Sequence, residues 1–339
     1  MIDYAVAQTP PPTRSPLLWP LVGLCLLVVL NVIINPAFLR ISTLDGHLYG
    51  TPIDILNQGS RGMLLALGMT LVIATGGVDL AVGSLMAVAG SVAAVLLTQH
   101  GQSLPVVIAG ALGVSLLGGY LNGFMVARLG LQPIVATLIL MTAGRGAAQL
   151  ITDGQVIIIQ NKPFEFLGNG FLLGLPFSIF VVVAIYLGTH FLLRRSAAGL
   201  FIEAVGDNET ASRFAGLASS RVKCLVYVFS GLCAGVAGLL ATSNIHAADP
   251  YRAGEMMELD AIFAVVVGGT ALTGGRFLLA GAFIGAVLLQ ALTTTMYIIG
   301  VKPEVAPVPK AVLIIIVCLM QSDATRAWLR GLFKRRTAK

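Results

Sequence analysis

Residues 199–216 read Gly-Leu-Phe-Ile-Glu-Ala-Val-Gly-Asp-Asn-Glu-Thr-Ala-Ser-Arg-Phe-Ala-Gly, and they separate two long apolar runs near 173–193 and 222–243. A helix needs about 20 mostly apolar residues to cross a bilayer, and both runs meet that length. The polar island between them therefore lies outside lipid, in a chain that is otherwise almost entirely apolar. The phase of Ala204, Ala211 and Ala215, with Phe214, predicts a short helix whose small-residue face suits a groove in another protein. A solvated loop joining two spans is the plainer alternative.

Composition extends this reading to the whole chain. Apolar residues make up 57% and charged residues 11% of the 339 positions, with a mean hydropathy of +0.91. Soluble domains carry roughly 25% charged residues, so this chain cannot clothe a water-facing surface in the usual way. The apolar runs repeat along the sequence, whereas a signal peptide gives one short run at the start. The expected fold is an all-α polytopic membrane protein. Cys25, Cys224, Cys233 and Cys318 all fall in apolar runs without a CxxC pair, and each reads as a small hydrophobe packed in a span.

Spans are expected near 17–35, 60–75, 80–98, 104–127, 133–152, 173–193, 222–243, 258–273, 277–299 and 303–321. These ten form one transmembrane domain over 17–321, between a Pro-rich tail at 1–16 read as disordered and a basic tail at 322–339. Ten spans put both termini on one side. With the termini in the cytoplasm, 14 of the 21 Lys and Arg lie inside, among them Arg128, Arg194, Arg195, Arg213, Arg221 and Lys223. Six fall outside or near the outer face: Arg40, Arg61, Lys162, Arg252, Lys302 and Lys310. The bias favours this orientation and makes the island cytoplasmic. It also accounts for the net charge of +6 without nucleic acid. An acidic stretch at 249–260 falls on the opposite side, as a solvated loop or a docking surface.

Thirty-nine glycines serve more than turns. Gly119/Gly123, Gly231/Gly235 and Gly281/Gly285 have the GxxxG spacing that lets helix backbones approach, here within one subunit or against a second. Gly76, Gly77, Leu80 and Gly83 share a GGxxLxxG pattern with Gly268, Gly269, Leu272 and Gly275. Paired interruptions of this kind mark broken helices in the two halves of many transporters.

Asp79 and Arg145 are the two charges set within spans. Asp79 follows Gly76-Gly77 and reads as a cap for the next helix, with contact to a solute or ion as the alternative. Arg145 needs a partner, either Asp79 or a backbone carbonyl, or a place on the solute path. Asn57, Thr70, Thr75, Asn122, Thr137 and Gln149 add amides and hydroxyls for interhelix bonds or a wet path. Such a path suits a neutral, hydroxyl-rich solute. No catalytic constellation is present, and no His, Cys and carboxylate cluster has metal-ligand spacing. The pattern GxxxxGK[ST] is absent, so ATP and Mg, if used, belong to a separate chain.

Residues 68–84, Gly68-Met69-Thr70-Leu71-Val72-Ile73-Ala74-Thr75-Gly76-Gly77-Val78-Asp79-Leu80-Ala81-Val82-Gly83-Ser84, resemble the signature of ribose/galactose-type ABC importer permeases. The island, with Gly199, Glu203, Ala204, Gly206, Asn208, Ala215 and Gly216, resembles that family's cytoplasmic coupling loop, here 196–220. Gln132 to Leu138 and Val267 to Arg276 also fit, in colinear order over roughly 50–320. Gly50 to Asn57, Leu138 to Gly146 and Glu258 to Ile262 are most similar to galactofuranose-importer permeases. Ala271 and Thr273 depart from the family pattern and bear on sub-specificity. The resemblance implies a bacterial inner-membrane subunit that binds no cofactor itself. Its implied partners are a cytoplasmic ABC ATPase, a second, different permease chain, a periplasmic sugar-binding protein and membrane lipid. Import of branched amino acids or nucleosides, or ion-coupled transport through Asp79 and Arg145, are the alternative functions.

Overall fold

The computed structural model of the protein describes residues 17–321 apart from 45, 303, 304 and 306. The tails at 1–16 and 322–339 lie outside the described residues, as does the side chain of Cys318. In chain order the elements are α1 (Leu18–Ile34), β1 (Ser42–Leu44), β2 (His47–Tyr49), α2 (Thr51–Ala74), α3 (Val82–Thr98), α4 (Leu104–Ala127), α5 (Pro133–Ile151), β3 (Ile157–Ile158), α6 (Lys162–Asn169), β4 (Phe171–Leu172), β5 (Leu175–Pro176), α7 (Phe177–Arg195), α8 (Ala198–Asp207), α9 (Glu209–Phe214), α10 (Ser219–Ile245), β6 (Ala247–Ala248), α11 (Met257–Val267), α12 (Leu279–Ile298) and α13 (Pro307–Gln321). The strands only make three short antiparallel ribbons, β1–β2, β3–β6 and β4–β5. The architecture is all-α.

Proline opens α2, α4, α5 and α6 at the first or second helical position, where a missing N–H costs nothing. Arg194 and Arg195 close α7, opposite in sign to the helix C-terminus. Among the described residues, α4, α5, α7, α10 and α12 are each long and apolar enough to cross a bilayer. Helices α1, α2, α3, α11 and α13 occupy the other five expected spans.

Two of those spans differ from expectation. Helix α2 starts at Thr51 and runs for 24 residues, well ahead of the apolar run from 60, because Pro52 can begin a helix whose first turns are polar. Helix α11 has only 11 residues and stops at Val267. At about 1.5 Å per residue it reaches roughly half of the ~30 Å hydrocarbon thickness. The rest of that span, Gly268 to Thr273, is not helical, and neither is the stretch on to Leu278.

Helix α10 is the central column. Its Ser230 faces Gly68 of α2, its Thr242 faces Gly90 of α3, and its Cys224 faces Gly123 of α4. These pairings run α3 parallel to α10, with α2 and α4 antiparallel. The two GxxxG motifs meet each other: a Cβ on Gly119 would lie 2.5 Å from the Tyr227 carbonyl oxygen and 3.2 Å from the Gly231 Cα. Only backbone-to-backbone contact fits there, so α4 and α10 approach as glycine helices within one chain. Gly281 and Gly285 do the same for α12 against Gly268 and Ala264 of the α11 segment. Cys233 is fully buried beside Gly68, whereas Cys25, expected to be packed, lies exposed on α1.

Candidate functional site

The island folds as two helices rather than one. Asn208 has extended backbone angles (φ −153°, ψ 99°) that end α8, and its side-chain oxygen accepts the Ala211 amide at 2.9 Å to cap α9. The Ser212 hydroxyl then donates to the Ala204 carbonyl at 2.8 Å, folding α9 back on α8. Glu209 accepts from Arg213 at 2.6 Å and also from Lys223 at the start of α10. Burial raises the Glu209 carboxyl pKa, but the hydrogen bonds and charges of Lys223 and Arg213 outweigh it and hold the group below its ordinary value.

The two faces of this unit differ. Phe214 is 89% exposed and Leu200 is 68% exposed, and Asn208, Ala215 and Gly216 are exposed as well. Gly216, with φ +85°, ends α9. Gly199 and the half-buried Gly206 turn inward, and Ala204 carries the Ser212 bond. Glu203 and Gly199 line a 460 Å³ groove with His190, Arg194 and Phe277.

Gly206 seats α8 on both glycine breaks at once. A methyl group there would overlap the Ala74 carbonyl oxygen and come within 2.5 Å of the Gly275 nitrogen. Ala74 ends α2 just before Gly76-Gly77, and Gly275 lies in the loop that begins at Gly268-Gly269. The Gly275 amide donates to the Ala74 carbonyl at 2.9 Å, and Gly275 holds φ +89°, a conformation that favours glycine. The repeated pattern does not extend to its last glycine, since Gly83 is helical in α3 and packs on Gly254 and Glu258.

Behind the first break, Asp79 is fully buried. One carboxylate oxygen accepts the Ala81 amide and the Asn122 side chain, each at 3.1 Å, and the other accepts the Ser230 hydroxyl at 2.8 Å. It thus ties the turn before α3 to α4 and α10, whereas the N-cap of α3 is Ala81 with no side-chain cap bond, so Asp79 is not the expected helix cap. Arg145 is bonded elsewhere, to the carbonyls of Ala253 at 2.6 Å and Tyr251 at 3.3 Å. Asp79 and Arg145 do not pair with each other.

The other polar candidates divide in the same way. Thr70 donates to Ala66, Thr75 to Val72 and Thr137 to Pro133, all three buried within the bundle. Asn57 of α2 accepts the Ser178 hydroxyl of α7, and Gln149 is half-buried on α5. Sequence reasoning missed Ser230 and the partnership of Gly275 with Ala74; Glu258, read there as part of the acidic stretch, has a buried Oε2 that lacks a hydrogen-bond partner among the described residues. Ser230 stands 151 positions from Asp79, so no local pattern announces that bond.

Comparison with known proteins fits this architecture. The family described as branched-chain amino acid transport system / permease component matches residues 51–318. The chain belongs to this permease family. The permease is a multi-pass membrane protein and, like other members, a transport subunit. It is 44% identical to the galactofuranose transporter permease protein YtfT of Escherichia coli (strain K12), over 99% of each chain. It is 40% identical to the fructose import permease protein FruF of Bifidobacterium longum (strain NCC 2705), over 96% of this permease and 93% of that one. The ribose import permease protein RbsC of Bacillus subtilis (strain 168) is 35% identical over 89% and 92% of the two chains. No solved structure matches the permease.

Proposed function

We propose that this permease is the membrane subunit of an ATP-driven importer of a monosaccharide, galactofuranose or a close relative, coupled to its engine through α8 and α9. The observation that carries the reading is the seat of Gly206 on Ala74 and Gly275. A push on the exposed Phe214 side of the island would reach the joints of both broken helix pairs without passing through a flexible linker. A rigid element touching two joints is suited to bias two arrangements of the bundle.

The engine is a cytoplasmic ABC ATPase that carries the ATP and Mg. The charge bias supports a cytoplasmic location for α8, α9 and both termini. A second, related permease chain completes the membrane unit, and a periplasmic binding protein delivers sugar at the opposite end. The similarity to galactofuranose, fructose and ribose permeases supports a sugar rather than a branched amino acid or nucleoside. The separate bonding of Asp79 and Arg145 speaks against ion-coupled transport through that pair.

The test is reconstitution of the permease in liposomes with its ATPase, second permease and binding protein. ATP-dependent uptake of labelled galactofuranose, unaffected by collapsing proton and sodium gradients, is expected. Uptake of leucine or a nucleoside in place of sugar would overturn the substrate class, and uptake without ATP would overturn the coupling.

A further inference from the structure

A groove of 470 Å³ opens on the side of the bundle between α4 and α10, lined by Tyr120, Phe124, Arg128, Ser220, Arg221, Cys224, Leu225 and Val228. Its walls are apolar along the helices. Leu225 is 67% exposed and Tyr120 49% exposed, with Phe124 next to Tyr120 at a ring separation of 6.3 Å. Its rim, at the end that carries α8 and α9, holds the exposed Arg128 and Arg221.

The charge balance of that rim is uneven. Lys223 and Arg213 are neutralised by Glu209, whereas Arg128 and Arg221 have no ion-pair or hydrogen-bonded carboxylate among the described residues. Val228 lies nine residues beyond Ser219, so at about 1.5 Å per residue the apolar part runs ~13 Å into the span. An occupant must therefore be anionic at one end and apolar over that depth. A soluble partner cannot reach Val228 through lipid, and a neighbouring apolar helix would leave two arginines without an anion.

We infer that this groove binds an anionic phospholipid, with the phosphate between Arg128 and Arg221 and an acyl chain along Tyr120, Phe124, Leu225 and Val228. Basic pockets between helices at the cytoplasmic level bind anionic head groups by the same physics. The site lies on the α4–α10 pair whose glycine packing fixes the column, so lipid there would brace the helix that anchors Asp79.

The test is native mass spectrometry of the full-length permease titrated with phosphatidylglycerol and, separately, phosphatidylcholine. Phosphatidylglycerol is expected to bind more tightly, and each of Arg128→Gln and Arg221→Gln is expected to weaken it about fivefold. Both side chains are exposed and have no carboxylate partner among the described residues, so these variants keep the fold. Val228→Trp, which fills the groove and leaves its charge intact, is expected to lower occupancy by both lipids. Equal affinity of wild type and the double arginine variant for phosphatidylglycerol would overturn the proposal. So would Leu225→Cys cross-linking two copies of the permease through this face in lipid bilayers.

Discussion

The backbone amide of Gly275 donates to the carbonyl oxygen of Ala74 at 2.9 Å, although 201 positions separate them in the chain. That bond closes the two broken helix pairs onto one another, and Gly206 of α8 lies directly over it. The island of α8 and α9 and the helix bundle thus meet at this backbone junction.

Asp79 is expected to act through hydrogen bonding rather than charge. An asparagine can keep all three bonds, accepting from Ala81 and Asn122 and donating to the Ser230 hydroxyl. Asp79→Ala leaves buried donors unpaired, at about 1–3 kcal/mol each. Thermal unfolding in detergent should show a clear loss for Asp79→Ala and a small change for Asp79→Asn. Transport by Asp79→Asn should stay within a few-fold of wild type, and its abolition in a well-folded protein would restore a role for the charge.

Gly231→Val would press a side chain into the Ser115 carbonyl and the Gly119 backbone. Overpacking of this kind costs about 1–3 kcal/mol or more when the neighbour is backbone. Gly113→Ala is the matched control on α4, because nothing lies within 4 Å of its added methyl. The first should lower the midpoint of thermal aggregation and the yield of monodisperse protein. The second should leave both unchanged or raise them slightly, in line with helix propensity.

Much of the fold was legible because hydropathy alone locates spans. The run 104–127 matches α4 at both ends, since Pro105 and Arg128 mark its limits. Helix α11 was not legible as a half-length element, because Ala271 and Leu272 prolong the apolar run past Gly268-Gly269 to Thr273. In the site, Gly206 and the paired breaks stood out locally as glycines. Their contact with each other did not, being made by backbone atoms far apart in sequence. Asn208 was singled out as a coupling residue, and its side chain caps α9.

Asn208→Ala removes that cap, at about 1 kcal/mol. The expected result is faster amide hydrogen exchange in 209–214 with exchange in α10 unchanged. Uniform protection across both segments would mean that α9 does not depend on its cap.

Glu209 gives a pH signature of the same unit. Its folded pKa is held below the ordinary 4.5, so its contribution is fully present above about pH 4.5 and is lost as pH falls through the folded value. Exchange at 209–214 should therefore rise as pH is lowered below 4.5, after correction for intrinsic rates. Glu209→Gln should exchange faster at neutral pH and lose that pH step.

Gly206 carries the central claim, and sugar-stimulated ATP hydrolysis by the reconstituted complex tests it most directly. A side chain at this position meets backbone on both breaks, so Gly206→Val should lift α8 from the Ala74–Gly275 junction while leaving the exposed Phe214 face free to bind the ATPase. The account predicts that the variant complex assembles, hydrolyses ATP at a basal rate and loses at least about tenfold of its stimulation by sugar-loaded binding protein, roughly 1.4 kcal/mol of coupling. Full stimulation by an assembled Gly206→Val complex would contradict it.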